Sequence, residues 1–250
     1  MIQQEYKPLI ECVLENIRRY FGKRLVAVYL HGSIEKGDAI PGISDLDLMV
    51  IIDEKQTMQD DTWLKAFCGK LCVEYVSLIE EAHISLMSSQ ELAENPFASF
   101  ALRYNASLIE GTDIAGCIDA DMATRYMPDK WMAKRRLQFA RNCFDEALAG
   151  KTPACTGPLP ADSRYISRKF ARYFVVVEGA YFLMTKNAFT SFHKDTVLEQ
   201  LRRHTNGYEE TLDAVQGVLN NPEDVELAPQ RLLEKIKPMV FWLFEEIERA

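Results

Sequence analysis

Two aspartates, Asp45 and Asp47, are the residues whose type and spacing most directly suggest chemistry. They flank Leu46 at the start of a run rich in β-branched residues that ends at Ile52. Residues two apart in a β-strand point to the same face, so both carboxylates leave one side while Leu46 and Leu48 point into the core. Neighbouring carboxylates repel each other unless a cation lies between them, and hard oxygen ligands suit Mg²⁺. The pair therefore predicts a metal site.

A glycine and a serine precede the aspartates, and eleven residues separate Ser33 from Asp45. Gly32 and Ser33 follow the run from Arg24 to His31, which has the composition of a strand. A strand that ends in Gly-Ser lets the backbone approach an anion closely, and a short helix beginning at Ser33 would turn its N–H groups and the hydroxyl toward that anion. The bend is thus a predicted position for a triphosphate.

Metal ions next to a triphosphate are the requirement for phosphoryl and nucleotidyl transfer. One ion polarises the α-phosphate and lowers the pKa of the attacking hydroxyl, and a second steadies the departing pyrophosphate. A third carboxylate normally completes such a set. Glu74 is our candidate, because it lies in the apolar run Leu71 to Ile79, which we predict to be the third strand. It would be a metal ligand or the general base, and the alternative is an edge-strand carboxylate facing water.

The elements around these residues mix strands and helices. Apolar residues spaced three and four apart from Tyr6 to Phe21 predict a first helix that ends at Gly22. A short helix over Thr62 to Phe67, helices near Ser88 and over Pro96 to Asn105, and a fourth strand over Ser107 to Gly111 complete the predicted N-terminal domain, residues 1–118.

Strand signals stop after Asp119, and the remainder predicts a helical bundle, residues 119–250. Three prolines and a glycine between Lys151 and Pro160 mark an exposed connection. The predicted fold class is therefore α+β, with a small mixed sheet followed by a bundle. Its helices are predicted over Pro128 to Ala149, Asp162 to Lys186, Lys194 to His204, Glu209 to Leu219 and Ala228 to Glu248.

Charge and composition narrow the partners. The net charge is −8, and residues 1–118 carry 10 Lys and Arg against 18 Asp and Glu, so all the net acidity is in the first half. This balance disfavours nucleic acid as the main partner. No apolar stretch approaches the roughly 20 residues of a membrane helix, and no secretory signal begins the chain, so we expect a cytoplasmic protein whose six cysteines are free thiols.

The pattern of Gly32, Ser33, Asp45 and Asp47 resembles the DNA polymerase β-like nucleotidyltransferase superfamily. Within it, the layout of a nucleotidyltransferase-fold domain followed by a helical bundle is most similar to the aminoglycoside adenylyltransferases that act on streptomycin and spectinomycin. That resemblance implies that Glu74, in Val-Glu-Tyr-Val, is the catalytic base.

Three residues of the bundle are further candidates. The resemblance implies that Lys194 contacts the nucleotide phosphates and that Asp162 contacts the acceptor. The alternatives are that Asp162 is only a helix N-cap and that Lys194 merely precedes an aspartate that caps a helix. Glu178 lies in a strongly apolar helix and must find a partner or a wet cleft. It is therefore either paired with an arginine, such as Arg172, or an acceptor contact.

Together these features predict an Mg²⁺-dependent nucleotidyltransferase with two Mg²⁺ ions held by Asp45, Asp47 and Glu74. It would move a nucleoside monophosphate, most simply AMP from ATP, onto a hydroxyl of a small molecule such as an aminoglycoside. Transfer to a protein or tRNA, and nucleotide binding without catalysis, are the alternatives. A monomer or a homodimer fits the sequence equally well.

Overall fold

A mixed four-stranded sheet organises the N-terminal part of the chain. Its strands are β1 (Leu25–His31), β2 (Leu46–Ile52), β3 (Ala82–Ser88) and β4 (Ala106–Gly111), in the order β3-β2-β1-β4. β1 pairs antiparallel with β2 and β4, whereas β2 and β3 are parallel. The computed structural model describes residues 2–115, 130–156, 159, 161–222 and 228–250, and it separates into two units, Met1–Met127 and Pro128–Ala250.

Helices cover both faces of this sheet because successive strand residues point in opposite directions. Val28, Leu30, Leu48 and Val50 face a core that also contains the apolar stripe of the first helix. Tyr29, Met49 and Ile51 face the other side, where the fourth and fifth helices pack. The helices of this unit are α1 (Lys7–Phe21), α2 (Gly32–Lys36), α3 (Met58–Glu74), α4 (Ser89–Glu94) and α5 (Pro96–Asn105), with 3₁₀ turns at Gln4–Tyr6 and Gly22–Arg24.

The predicted third strand, Leu71 to Ile79, is wrong. Helix α3 continues through Leu71 to Glu74, and a turn follows. Leu64, Phe67 and Leu71 are buried at helical spacing, while Val73 and Val76 are 77% and 70% exposed. The apolar residues of this run therefore belong to the end of a helix and to the turn that follows it. The strand lies later in the chain, at β3.

The start of α3 is fixed by a buried carboxylate. Asp60 and Thr57 form a capping box, in which the Thr57 side chain accepts from the Asp60 N–H and the Asp60 carboxylate accepts from the Thr57 N–H. Arg24 donates two hydrogen bonds to the same carboxylate, at 3.1 and 2.8 Å. These bonds hold the pKa of Asp60 well below its usual range. Asp60 thus connects the start of α3 to the beginning of β1.

The described part of the second unit contains only helices. The long predicted helix is continuous from Ser163 to Thr185 but includes a π-helical segment, Arg172–Val177. The part before this segment packs against the helices Glu209–Asn220 and Pro229–Arg249, whereas the part after it packs against the helices Lys130–Leu148, Lys194–His204 and Pro229–Arg249. The helices are α6 (Lys130–Leu148), α7 (Ser163–Ala171), α8 (Glu178–Thr185), α9 (Lys194–His204), α10 (Glu209–Asn220) and α11 (Pro229–Arg249).

The prediction of an α+β fold with a small mixed sheet and a helical C-terminal part is confirmed. The domain boundary predicted between residues 118 and 119 lies outside the described residues and stays a prediction. Cys117 lies there too, and the other five cysteines are free. Within the described ranges, no helix is long and apolar enough to cross a membrane.

Candidate active site

The two aspartates lie where β2 begins, between two neighbouring strands. Asp45 immediately precedes β2 and Asp47 is its second residue. In the sheet, Asp47 is the register partner of His31 on β1 and of His83 on β3. Because Asp45 lies just before the strand, the prediction from β alternation that both carboxylates share one face stays a prediction. An imidazole therefore flanks Asp47 on each side.

The bend between β1 and α2 comes into direct contact with Asp47. Gly32 has a φ of +77°, a conformation that favours glycine. A Cβ at this position would overlap Oδ2 of Asp47 and lie 3.1 Å from its Cγ. The Asp47 carboxylate thus occupies the space that any larger residue at position 32 would need. The short spacing between the Gly-Ser pair and the aspartates brings them together in space.

Helix α2 is anchored at its far side. Lys36 Nζ donates to Asn105 Oδ1 at 2.6 Å, and Ser107 Oγ donates to Glu35 Oε1 at 2.6 Å. These bonds join α2 to the end of α5 and to β4. The helix begins at Gly32, directly after β1, so Ser33 lies in its first turn. This agrees with the short helix predicted there, while the phosphate-binding role of Gly32 and Ser33 stays a prediction.

Two further residues complete the cluster around the aspartates. Asp45, Glu81 and His83 each offer a ligand atom, and these atoms all lie within 4.8 Å of one another. The parallel pairing is the cause, because Leu46 is the register partner of Ala82 and the Leu46 N–H donates to the Glu81 carbonyl at 2.9 Å. His83 Nε2 is 3.0 Å from a carboxylate oxygen of Glu81.

The two histidines beside Asp47 differ in how deeply they are buried. Burial lowers the pKa of His31, and the Asp47 carboxylate opposes this effect without reversing it. His31 is therefore neutral near pH 7. His83, in contrast, has a side chain that is 55% exposed. The Asp47 carboxylate therefore has a buried imidazole on one side and a largely exposed imidazole on the other.

Comparisons with known proteins agree with this arrangement. The sequence of residues 10–95 matches the nucleotidyltransferase domain family. No curated protein sequence matches the chain. Among solved structures, the chain is similar to spectinomycin adenyltransferase AAD(9) from Enterococcus faecialis, determined with ATP and spectinomycin. The two share 12% sequence identity and a TM-score of 0.56 over 96% of this chain and 98% of the other.

The chain carries a nucleotidyltransferase domain. The matched segment contains Gly32, Ser33, Asp45 and Asp47, the residues on which the resemblance to the DNA polymerase β-like superfamily rests. That recognition is confirmed, and the chain is an enzyme of the nucleotidyltransferase kind. The likeness to AAD(9) extends over the helical part as well and is a likeness of fold.

Glu74 does not lie on the sheet of the nucleotidyltransferase domain, contrary to our prediction. It is the last residue of α3, about half-exposed, with Lys70 Nζ 3.5 Å from its Oε1. This is an ordinary i,i+4 surface pair. The reason for choosing Glu74 was its predicted position in the strand next to the aspartates, and β3 has that position instead.

The residues that sequence reasoning missed are Glu81 and His83. Their signal was present, because Glu81, His83 and Ser85 alternate with Ala82, Ile84 and Leu86 as expected for a half-buried strand. The apolar composition of residues 71–79 predicts a strand more strongly than this alternation does, although no strand forms there. A parallel neighbour for β2 also requires a crossover, which α3 supplies.

Glu178 lies in the second unit, outside the nucleotidyltransferase domain, and it is 3% exposed. Arg136 Nη2 is 3.1 Å from its Oε1, so its partner is Arg136 rather than the suggested Arg172. Burial raises the pKa of Glu178, and the arginine counteracts this rise. The structure thus contains the buried pair with an arginine, while contact of Glu178 with an acceptor stays a prediction.

Asp162 and Lys194 both lie at helix starts in the second unit. Asp162 is the N-cap of α7, where it accepts from the Arg164 N–H at 2.9 Å and pairs with the Arg164 side chain. This lowers the pKa of Asp162 to about 2. Lys194 is the first residue of α9. Their contacts with an acceptor and with phosphates stay predictions.

Proposed function

We propose that this enzyme transfers a nucleoside monophosphate, AMP from ATP, onto a hydroxyl of a small molecule in a reaction that requires divalent metal. The observation that carries the proposal is the contact of the Asp47 carboxylate with Gly32 in a nucleotidyltransferase domain. It joins a carboxylate pair to a glycine bend able to approach an anion. Both are needed to hold a metal-bound triphosphate.

The donor set fits a divalent cation. Asp45, Asp47 and Glu81 offer carboxylate oxygens at the edge of two adjacent strands, and oxygen ligands are those that Mg²⁺ takes. When bound, the metal neutralises charge on the phosphates and activates the attacking hydroxyl. We propose two Mg²⁺ ions, as the sequence indicated, with Glu81 in place of Glu74 as the third carboxylate.

The protein's own groups then orient the nucleotide. In the proposal, the Gly32 backbone and the Ser33 hydroxyl bind the β- and γ-phosphates. The bonds of α2 to Asn105 and Ser107 support it by connecting the helix that follows the bend to the end of α5 and to β4. Lys194 is retained as a proposed phosphate contact from the helical unit.

The acceptor class is supported by charge and by the structural neighbour. Residues 1–118 have eight more acidic than basic side chains, which favours a cationic acceptor. The structurally similar AAD(9) was solved with ATP and spectinomycin. We therefore propose an aminoglycoside or aminocyclitol acceptor and, with ATP as the donor, a cytoplasmic site of action.

A nucleotide-binding protein without transfer activity is the second candidate. One observation favours it: the β3 residue in register with Asp47 is a histidine, where a third carboxylate would complete an acidic triad. The two candidates differ in whether pyrophosphate is released when an acceptor is present.

The test is incubation of the full chain with Mg²⁺, each nucleoside triphosphate and a panel of aminoglycosides and aminocyclitols. Mass spectrometry should detect an acceptor heavier by one nucleotide, with equal release of pyrophosphate. Asp47→Asn should abolish the product, whereas Glu74→Gln should leave turnover unchanged. Full activity of Asp47→Asn would contradict the proposal. Nucleotide binding without any product would favour the second candidate, and labelled nucleotide on protein or tRNA in a lysate would reassign the acceptor.

A further inference from the structure

The ligand set beside the aspartates is not purely acidic. His83 contributes an imidazole nitrogen within 4.8 Å of ligand atoms from Asp45 and Glu81. His83 lies in β3, and Asp45 and Glu81 directly precede the parallel strands β2 and β3, so the pairing of Leu46 with Ala82 sets their backbone spacing. Among the residues that the structure describes, no other group of three such side chains has this proximity.

The geometry requires only small side-chain adjustments to bind one ion. Metal–ligand bonds of roughly 2.0–2.2 Å place neighbouring ligand atoms on the order of 3–4 Å apart. The separation of His83 Nε2 from the Glu81 carboxylate, 3.0 Å, falls in that range, and the ligand atoms of all three residues lie within 4.8 Å of one another. His83 and Glu81 are half-exposed, so their ion pair contributes little and is readily replaced by bonds to a metal.

The chemistry of the donors then selects the ion. Mg²⁺ prefers oxygen ligands in an octahedral arrangement and retains waters, while imidazole suits first-row transition metals. One nitrogen with two carboxylates is a mixed set, and between two ions that both suit carboxylates it favours Mn²⁺, a transition metal that accepts an imidazole ligand, over Mg²⁺.

We propose that His83, Asp45 and Glu81 form a nitrogen- and oxygen-liganded metal site at which Mn²⁺ binds more tightly than Mg²⁺. This inference rests on the proposed function in one respect: the metal that binds here is the metal of the proposed active site. His83 replaces an oxygen ligand and changes which cation the enzyme prefers. Because His83 is the register partner of Asp47, an ion bound at this site is close to the second aspartate as well.

The experiment measures Mn²⁺ binding to the full chain without nucleotide or acceptor. Titration followed by the electron paramagnetic resonance signal of free Mn²⁺ gives the affinity, and Mg²⁺ competition gives the preference. Pulsed measurements on the bound Mn²⁺ should detect coupling to a ¹⁴N nucleus. We expect tighter binding of Mn²⁺ than of Mg²⁺, and His83→Ala should weaken Mn²⁺ binding by at least about tenfold.

Two variants make the assignment specific. His83→Asp supplies an oxygen ligand, so it should bind Mg²⁺ at least as well as the unmodified protein but lose the ¹⁴N coupling. His31→Gln, on the opposite side of Asp47, should retain that coupling. Persistence of the coupling in His83→Asp, its loss in His31→Gln alone, or equal affinity of Mn²⁺ for the unmodified protein and His83→Ala would overturn the proposal.

These outcomes are separate from those of the transfer assay. A ¹⁴N coupling that depends on His83, without nucleotide transfer under any metal, would retain the metal site and reject the proposed function. Transfer that is abolished by Asp47→Asn, with Mn²⁺ binding indifferent to His83, would retain the function and reject the nitrogen ligand. Circular dichroism of each variant establishes that it is folded.

Discussion

At the scale of single residues, the feature with the largest consequence is the contact between Gly32 and Asp47. The glycine is required for two separate reasons, its φ of +77° and the overlap that a Cβ would have with the carboxylate. The first is a matter of backbone conformation and the second concerns the metal site itself. A suitable control glycine can separate them.

Gly32→Ala should lower both stability and transfer activity, because the new methyl group displaces the Asp47 carboxylate. Gly150 is the matched control, since it has a φ of +72° but nothing within 4 Å of the position that a Cβ would take. Gly150→Ala should lose about 1 kcal/mol of unfolding free energy with activity unchanged. Denaturant unfolding and the transfer assay measure both effects. Equal activity of the two variants would mean that Asp47 accommodates the methyl group.

How far the sequence predicts the candidate site depends on how local each part is. Gly32, Ser33, Asp45 and Asp47 lie within sixteen residues, and one antiparallel strand pair brings them together. Glu81 and His83 depend on a parallel pairing after a crossover helix, which residue composition alone does not specify. Glu178 was recognised as needing a partner, but Arg136 lies 42 residues away and only packing of the bundle identifies it.

At the scale of elements, α3 begins at a buried carboxylate that belongs to two structures at once. Asp60 closes the capping box with Thr57 and also accepts two hydrogen bonds from Arg24. Loss of its charge removes support from both the helix start and the beginning of β1. The next residue, Asp61, is exposed and belongs to the same helical turn.

Asp60→Asn should destabilise the N-terminal unit by about 3 kcal/mol, because it leaves Arg24 without its buried counter-charge. Asp61→Asn should change the unfolding free energy by no more than about 0.5 kcal/mol. Urea unfolding of both variants at pH 7 tests this difference. Similar losses in the two variants would argue against a special contribution of Asp60.

The same carboxylate predicts a pH dependence. The folded-state pKa of Asp60 is depressed, so its stabilising contribution is complete above the unfolded-state value near 4 and is lost as the pH falls toward the folded-state value. The unmodified protein should therefore lose stability more steeply than Asp60→Asn below about pH 4.5. Unfolding curves recorded from pH 6 down to about pH 2 measure this, and parallel slopes for the two proteins would contradict it.

The bundle contains a second buried ion pair, Arg136 with Glu178. Arg136→Met should cost about 3–5 kcal/mol, since it leaves the Glu178 carboxylate buried without a partner. The double variant Arg136→Met/Glu178→Leu should cost less than Arg136→Met alone. Glu248→Gln removes the exposed partner of Arg141 and should cost less than about 1 kcal/mol. Chemical denaturation compares the three, and a double variant that loses as much unfolding free energy as Arg136→Met, or more, would contradict the pairing.

At the scale of the whole molecule, the chain divides into two units whose described cores are built differently. The helices of the second unit were predicted closely because each has a long apolar stripe of period 3.6. The first unit was predicted less well, because a short apolar run is compatible with a strand or with the end of a helix. Its errors lie in residues 58–88, where the helix predicted over Thr62 to Phe67 runs from Met58 to Glu74 and the strand predicted over 71–79 lies at Ala82–Ser88.

The two units should respond differently to nucleotide. Trp63 is the single tryptophan of residues 1–127 and stacks on Tyr20, so a Trp131→Phe/Trp242→Phe variant reports on the first unit. ATP with divalent metal at about 100 times its dissociation constant should stabilise that unit by roughly 2.7 kcal/mol. Denaturation followed by Trp63 fluorescence measures the shift, and Asp47→Asn should lack it. A shift retained in Asp47→Asn would indicate that nucleotide binds elsewhere.

The π-helical segment Arg172–Val177 adds one residue to a turn in the middle of a long rod. An α-helix advances about 100° per residue, so the insertion rotates everything downstream about the axis by that amount. The first half of this helix contacts α10 and α11, whereas the second half contacts α6, α9 and again α11. Deleting one valine from this turn would restore a regular helix and swing the Glu178 carboxylate away from its arginine. The rotation of this helix about its own axis therefore decides whether the Glu178 carboxylate is paired with Arg136.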